Sequence, residues 1–110
     1  MTANEFIDAT RKVIDVIYGG HYIEERRPRV ICADGYSVSM QVGSGLYCTP
    51  RDYGEEYYSE VELGYPSAED ELINDYAEDC DDYTDTVYPY VPVEIVDKLF
   101  EKHGGIVNEF

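Results

Sequence analysis

The polar and apolar positions of this 110-residue chain divide it into short amphipathic segments separated by glycine, proline and acidic runs. Thr2-Ala3-Asn4-Glu5 has the form of a capping box, in which Thr2 accepts from a free helix amide and Glu5 reaches back. Phe6, Ala9, Val13, Ile14 and Ile17 then recur at helical spacing, which predicts one amphipathic helix ended by Gly19-Gly20. The apolar, β-branched run at residues 29–33 (RVICA) predicts a buried strand. Asp34-Gly35 after it is a strong hairpin signal, because both turn positions favour positive φ. Tyr36, Val38, Met40 and Val42 alternate with Ser37, Ser39 and Gln41, which predicts a strand with one face on the core and one on water.

Gly43-Ser44-Gly45 makes the next turn, residues 46–49 form a short strand closed by Pro50, and residues 51–56 read as an exposed loop. Tyr57, Ser59, Val61 and Leu63 alternate with Tyr58, Glu60 and Glu62, giving another half-exposed strand broken by Gly64-Tyr65-Pro66. Ser67, with Asp70 three residues on, is placed to cap a helix whose apolar stripe is Leu72, Ile73, Tyr76 and Ala77. Residues 80–86 have no periodicity and read as a loop. Residues 87–91 are extended, and Pro89 confines them to a sheet edge or to no sheet at all. Pro92 opens a last helix with Ile95, Val96, Leu99 and Phe100 inward, ended by Gly104-Gly105. The order is α-β-β-β-β-α-β-α. It implies a single α+β domain over residues 1–110, with an antiparallel sheet of three to five strands and helices mainly on one face.

Charge changes this picture. The chain carries 24 acids and eight Lys or Arg, a net charge of −16, and the excess is confined to one part of it. Residues 1–51 hold six acids and six bases, residues 98–110 hold two of each, and residues 52–97 hold sixteen acids with no Lys or Arg. Half of residues 69–86 (EDELINDYAEDCDDYTDT) are acidic. Such a field repels phosphate, which argues against direct binding of nucleic acid or an anionic membrane and favours a basic protein partner. No apolar run reaches the roughly 18 residues of a membrane span, and the N-terminus lacks the apolar core of a secretory signal. Three cysteines without a CxxC pair suit a reducing cytoplasm.

Catalytic and metal chemistry find little support. An EF-hand read from Asp79 has Thr84 where glycine belongs and Tyr90 where the distal Glu belongs. His21, Cys32, Cys48, Cys80 and His103 lack the close spacing of paired zinc ligands. Cys80, set among carboxylates, lacks the cationic surroundings that activate a thiol, and His103 at a helix end suits a dipole contact. The expectation is no enzyme, no cofactor and no metal.

The acidic segment has an ordinary reading, a solvated face, and a functional one. Uncompensated like charge destabilises a compact state, so its retention points to a use. Acids one helical turn apart lie about 5–6 Å from each other at Cβ, near the separation of adjacent phosphates. Tyrosines interleaved with acids suit an arginine-rich groove, because guanidinium groups pair with carboxylates and stack on rings. The predicted partner surface is Glu60, Glu62, Glu69, Asp70, Glu71, Asp75, Glu78, Asp79, Asp81, Asp82 and Asp85 with Tyr58 and Tyr83. Arg26, Arg27 and Arg29 are expected to neutralise acids within the molecule or across a homodimer.

In size, charge and the acidic segment 52–97 the chain resembles small acidic α+β proteins of phages and mobile elements, the DNA-mimic anti-CRISPR and anti-restriction proteins. The resemblance implies a non-enzymatic inhibitor that occupies the DNA- or PAM-reading surface of a nuclease such as a Cas9-type effector. An acidic immunity protein or antitoxin covering a basic toxin is the alternative, and a structural domain whose charge serves solubility is the third.

Overall fold

Strand pairing organises most of the chain. The structure, a computed structural model, describes residues 1–17 and 21–108. Its elements run α1 (Ala3–Ala9), β1 (Val13–Ile17), β2 (His21–Glu24), β3 (Val30–Ile31), β4 (Ser37–Gln41), β5 (Glu60–Gly64), β6 (Val87–Pro92) and α2 (Val93–Lys102). β3, β4, β5 and β6 form an antiparallel sheet in that spatial order, and β1 and β2 form a separate two-stranded ribbon. The fold is α+β, as the hydrophobic pattern predicts, with two sheets where one was expected.

The N-terminal segment departs from its predicted helix. The capping box forms, with Glu5 N–H donating to Thr2 Oγ1 at 3.2 Å and Thr2 N–H donating to Glu5 Oε1 at 2.8 Å. The helix stops at Thr10, whose hydroxyl donates back to the Phe6 carbonyl at 2.7 Å. VIDVI then pairs with β2 as a strand. Four of those five residues are β-branched, and their strand preference overrides an apparent helical phase. Ile14 and Val16 consequently lie 59% and 71% exposed instead of facing a core. The predicted stop at Gly19-Gly20 lies outside the described residues.

The predicted hairpin forms, but its loop is Ala33-Asp34-Gly35 and only Gly35 of the Asp34-Gly35 pair takes positive φ. Val30 pairs with Val38 and Ile31 with Ser37, and Gly35 adopts φ +95°, which a side chain disfavours. Tyr36, Val38, Met40 and Val42 are buried, but so are Ser39 and Gln41. The segment after β2 covers that second face: Gln41 accepts from the Arg27 amide and donates to the Arg27 carbonyl, both at 2.9 Å. Residues 46–49 are not a strand, and only Thr49 bridges to Glu60. β6 is the sheet edge, which accommodates Pro89, and it bulges there because Val61 faces Val91 while Leu63 faces Tyr88.

One apolar cluster unites Phe6 and Ile7 of α1, Val96, Leu99 and Phe100 of α2, and the inward residues of β3 to β6. Asp97 ties the two helices by accepting from the Ala3 amide at 2.7 Å. Because Ile14 is an exposed strand residue and Phe6 a core residue, the two should respond differently to truncation. Ile14→Ser is expected to change unfolding free energy by within about 0.5 kcal/mol, and Phe6→Ala to cost about 3–5 kcal/mol. Urea unfolding followed by tyrosine fluorescence checks both; a large loss at Ile14 would contradict this arrangement.

Candidate functional site

Residues 65–86, the connection between β5 and β6, contain most of the predicted partner surface, but no α-helix forms there. The segment has a single 3-10 turn at Asn74–Tyr76. Local hydrogen bonds explain the loss of the predicted helix, since Asp side chains that capture nearby amides compete with helical pairing. Asp70 accepts from the Leu72 amide at 3.0 Å, Asp79 from the Asp81 amide at 2.9 Å, and Asp82 from the Thr84 amide at 2.9 Å and hydroxyl at 2.7 Å. The Thr84 bonds hold the exposed Asp82 carboxyl below the usual range. Ser67 caps no helix; its hydroxyl accepts from the Ser37 amide at 2.9 Å. Phosphate-like spacing along a helix face is therefore not how this surface is built.

The connection is instead fastened at several points. Tyr65 and Thr86 are joined where it leaves and re-enters the sheet, and Glu78 N–H donates to the Val87 carbonyl at 3.0 Å. Arg29 donates to the Tyr65 carbonyl at 2.6 Å. Ile73 is buried in the core cluster, and the Tyr88 hydroxyl donates to the Tyr83 carbonyl. Burial pushes the Tyr88 phenol up to about 12, with the Tyr83 hydroxyl adding to the shift.

Between these anchors Glu69, Glu71, Asp75, Glu78, Asp79, Asp81, Asp82 and Asp85 are all exposed, and among the described residues none of these eight makes an ion pair. Tyr83 is half-buried beside them. Glu60 and Glu62 lie apart, on β5, where Glu60 accepts from the Thr49 hydroxyl at 2.7 Å and Glu62 from the Tyr47 amide at 3.3 Å.

Two predicted surface residues are interior. Tyr58 is 1% exposed; its hydroxyl donates to the Asp52 carbonyl at 2.5 Å, and its backbone pairs with the Asn4 side chain. Strand alternation slips before β5 begins, so that Tyr57, which shares the phase of the buried Val61 and Leu63, is 56% exposed. Asp70, 5% exposed, accepts from Lys102 at 3.1 Å and lies 2.8 Å from His103 Nε2. Burial would raise the Asp70 pKa, but bonds from the Leu72 amide, His103 and Lys102 outweigh it and hold the carboxyl low. Sequence spacing offered no signal for this pairing, since Asp70 and His103 are 33 positions apart.

Cations concentrate elsewhere. Glu24, with a side chain 1% exposed, bridges Arg27 at 2.7 Å and Arg11 at 2.9 Å, and Arg27 also donates to the Ile7 carbonyl. Glu24 accepts the Gly54 amide as well, and Tyr22 packs there so closely that a Cβ at Gly54 would sit 1.7 Å from its hydroxyl oxygen. Arg27 thus neutralises an acid within the molecule, as expected of the arginine cluster, while Arg29 bonds Ser37 and Tyr65 oxygens. A cavity of about 210 Å³ lies between Glu24, Arg26, Gln41, Tyr53 and Glu62, but most of its polar groups are engaged as described.

His103 and the two buried cysteines are already engaged or shifted. Both ring nitrogens of His103 are occupied by carboxylates, which leaves no free base. Burial pushes the Cys32 thiol up to about 11 and raises the Cys48 thiol, opposite to the activation a nucleophile needs. Among the described residues no group of three His, Cys, Asp or Glu is arranged to hold a metal ion. No described helix is long and apolar enough to cross a membrane.

The buried ion triad carries a testable consequence. Glu24→Gln leaves two guanidinium groups without their carboxylate and should cost about 3–5 kcal/mol in urea unfolding. Glu94→Gln, on an exposed position of α2, should leave the midpoint unchanged. No protein-family model matches this chain, and no curated protein or solved structure matches it significantly.

Proposed function

We propose that this protein is a non-enzymatic inhibitor that binds a basic nucleic-acid-binding protein through the 65–86 connection. One observation carries the reading: eight exposed carboxylates on one anchored segment have no ion-pair partner among the described residues. A receptor surface of Lys and Arg would supply the missing counter-charge. The gain would arise as in DNA binding, from many simultaneous charge contacts, and would weaken steeply with salt. Tyr65, 44% exposed, and the half-buried Tyr83 would offer rings to guanidinium groups. The specific target class is a Cas9-type nuclease, met in the cytoplasm, whose PAM-reading arginines lie in a cationic channel. The mimicry would be of a polyanion's charge and not of its helical spacing.

The reading is tested with a five-site variant: Asp75→Asn, Glu78→Gln, Asp79→Asn, Asp81→Asn and Asp82→Asn. Asn keeps the acceptor oxygens that hold the Asp79 and Asp82 turns, so the fold should persist. The wild-type chain should suppress binding of a PAM-containing duplex by a Cas9–guide complex at about 50 mM salt and lose this effect near 500 mM. The variant should be at least about tenfold weaker. Equal inhibition by both chains, or no inhibition by either, counts against the target class. A lysate pull-down at the same two salt concentrations tests the broader claim, and no salt-sensitive basic protein retained by the wild type would overturn it.

A further inference from the structure

His103 ends α2, and its ring reaches two other parts of the fold. Nδ1 lies 2.6 Å from Oδ2 of Asp34, in the β3–β4 turn, and Nε2 lies 2.8 Å from Oδ2 of Asp70, at the start of the acidic connection. A neutral imidazole has one N–H and can donate to only one of these oxygens. Its second nitrogen would turn a lone pair toward a carboxylate at under 3 Å. Only the imidazolium donates to both, through two charge-assisted bonds.

The surroundings hold the ring in place for this role. Tyr36 stacks on it with centroids 4.0 Å apart and planes 8° from parallel. The Asp34 amide donates to the His103 carbonyl at 3.1 Å, and Asp34 also accepts from the Tyr36 amide. Lys102 bonds the other oxygen of Asp70. The Tyr36 phenol in turn feels the charges of Asp70, Tyr88, Cys32 and Arg29. The carboxylates of Asp34 and Asp70 are thus the acids facing the ring, and Lys102 is the cation beside it.

We propose that protonated His103 is a latch that fastens the acidic connection to the body of the domain, and that loss of its proton loosens residues 65–86. The latch does not depend on a partner, so it stands or falls separately from the inhibitor reading. Its working range follows from the charges. Burial alone would lower the His103 pKa, but the bonded and charged Asp34 and Asp70 outweigh it and raise the group above 6.5. A raised histidine stabilises fully below the unfolded value and loses its contribution as pH climbs through the folded one. Asp34 and Asp70 are shifted down, so their contribution fades only in acid, as pH falls through their lowered values. The latch is closed between these limits and opens on the alkaline side.

The test uses the full chain labelled with nitrogen-15. Imidazole spectra are followed from about pH 5 to about pH 9.5. His103→Gln assigns the two histidine signals. Amide exchange is measured in parallel at Ile73, Tyr76, Ala77 and Glu78 and expressed as protection factors, which removes the intrinsic pH dependence. The expected result is a His103 midpoint above 6.5 and a fall of about tenfold in protection in the connection across that midpoint. Met40 and Leu63, in the central strands, should hold their protection. His103→Gln should show low protection in the connection at every pH. If it does not fold, Asp34→Asn substitutes for it and should move both the midpoint and the loosening to lower pH. A midpoint at or below 6.5, protection that stays level through the midpoint, or an equal fall at Met40 and Leu63 would each overturn the latch.

Discussion

Scarcity of positive charge shapes this molecule. Twenty-four carboxylates share eight Lys and Arg, so most acids have no cation available. Three of those cations, Arg11, Arg27 and Lys102, lie where an unpaired carboxylate would be most costly. Glu24 is almost fully buried and receives two guanidinium groups, while Asp70, also buried, receives Lys102 and His103. Burying a charge without a partner costs several kcal/mol, whereas leaving one in water costs little. The exposed acids of residues 65–86 are among those left uncompensated, and their concentration on that segment is already written in the sequence.

Such a segment needs anchoring against its own repulsion. Apart from the Asp70 contacts to His103 and Lys102, the anchors here are apolar or backbone-directed. Ile73 enters the core, Ser67 pairs with Ser37, and the Tyr88 hydroxyl reaches the Tyr83 carbonyl across the base of the loop. Aspartates satisfy the local amides and form tight turns in place of a helix. The carboxylates are consequently presented from a segment with fixed attachment points. That arrangement lowers the ordering cost of meeting a multivalent cationic surface. His103 joins this segment to α2 and to the β3–β4 turn through one proton, so the geometry of the charged surface and the titration of a single imidazole are linked.

Some of this was legible in the chain. The capping box at Thr2 and Glu5, the Asp34-Gly35 hairpin, the edge position imposed by Pro89 and the inward stripe of α2 all rest on neighbours within a few residues. Spacing and turn chemistry encode such features directly, and they formed as expected. The confinement of acids to residues 52–97 is likewise a property of the sequence.

Other features depended on partners far along the chain. VIDVI satisfies a helical phase and a strand preference alike, and pairing with β2 selected the strand. Alternation around Tyr57 and Tyr58 fits either phase, and Asn4, 54 positions away, drew Tyr58 inside. Asp70 looks like any other acid of its run until α2 brings Lys102 and His103 against it. Charge, the Thr2 cap and the turn at Gly35 were set by the sequence itself because their physics is local. Which acids were neutralised and which stayed bare was decided only by tertiary contacts, because ion pairing in the interior depends on which distant cation the fold brings within reach.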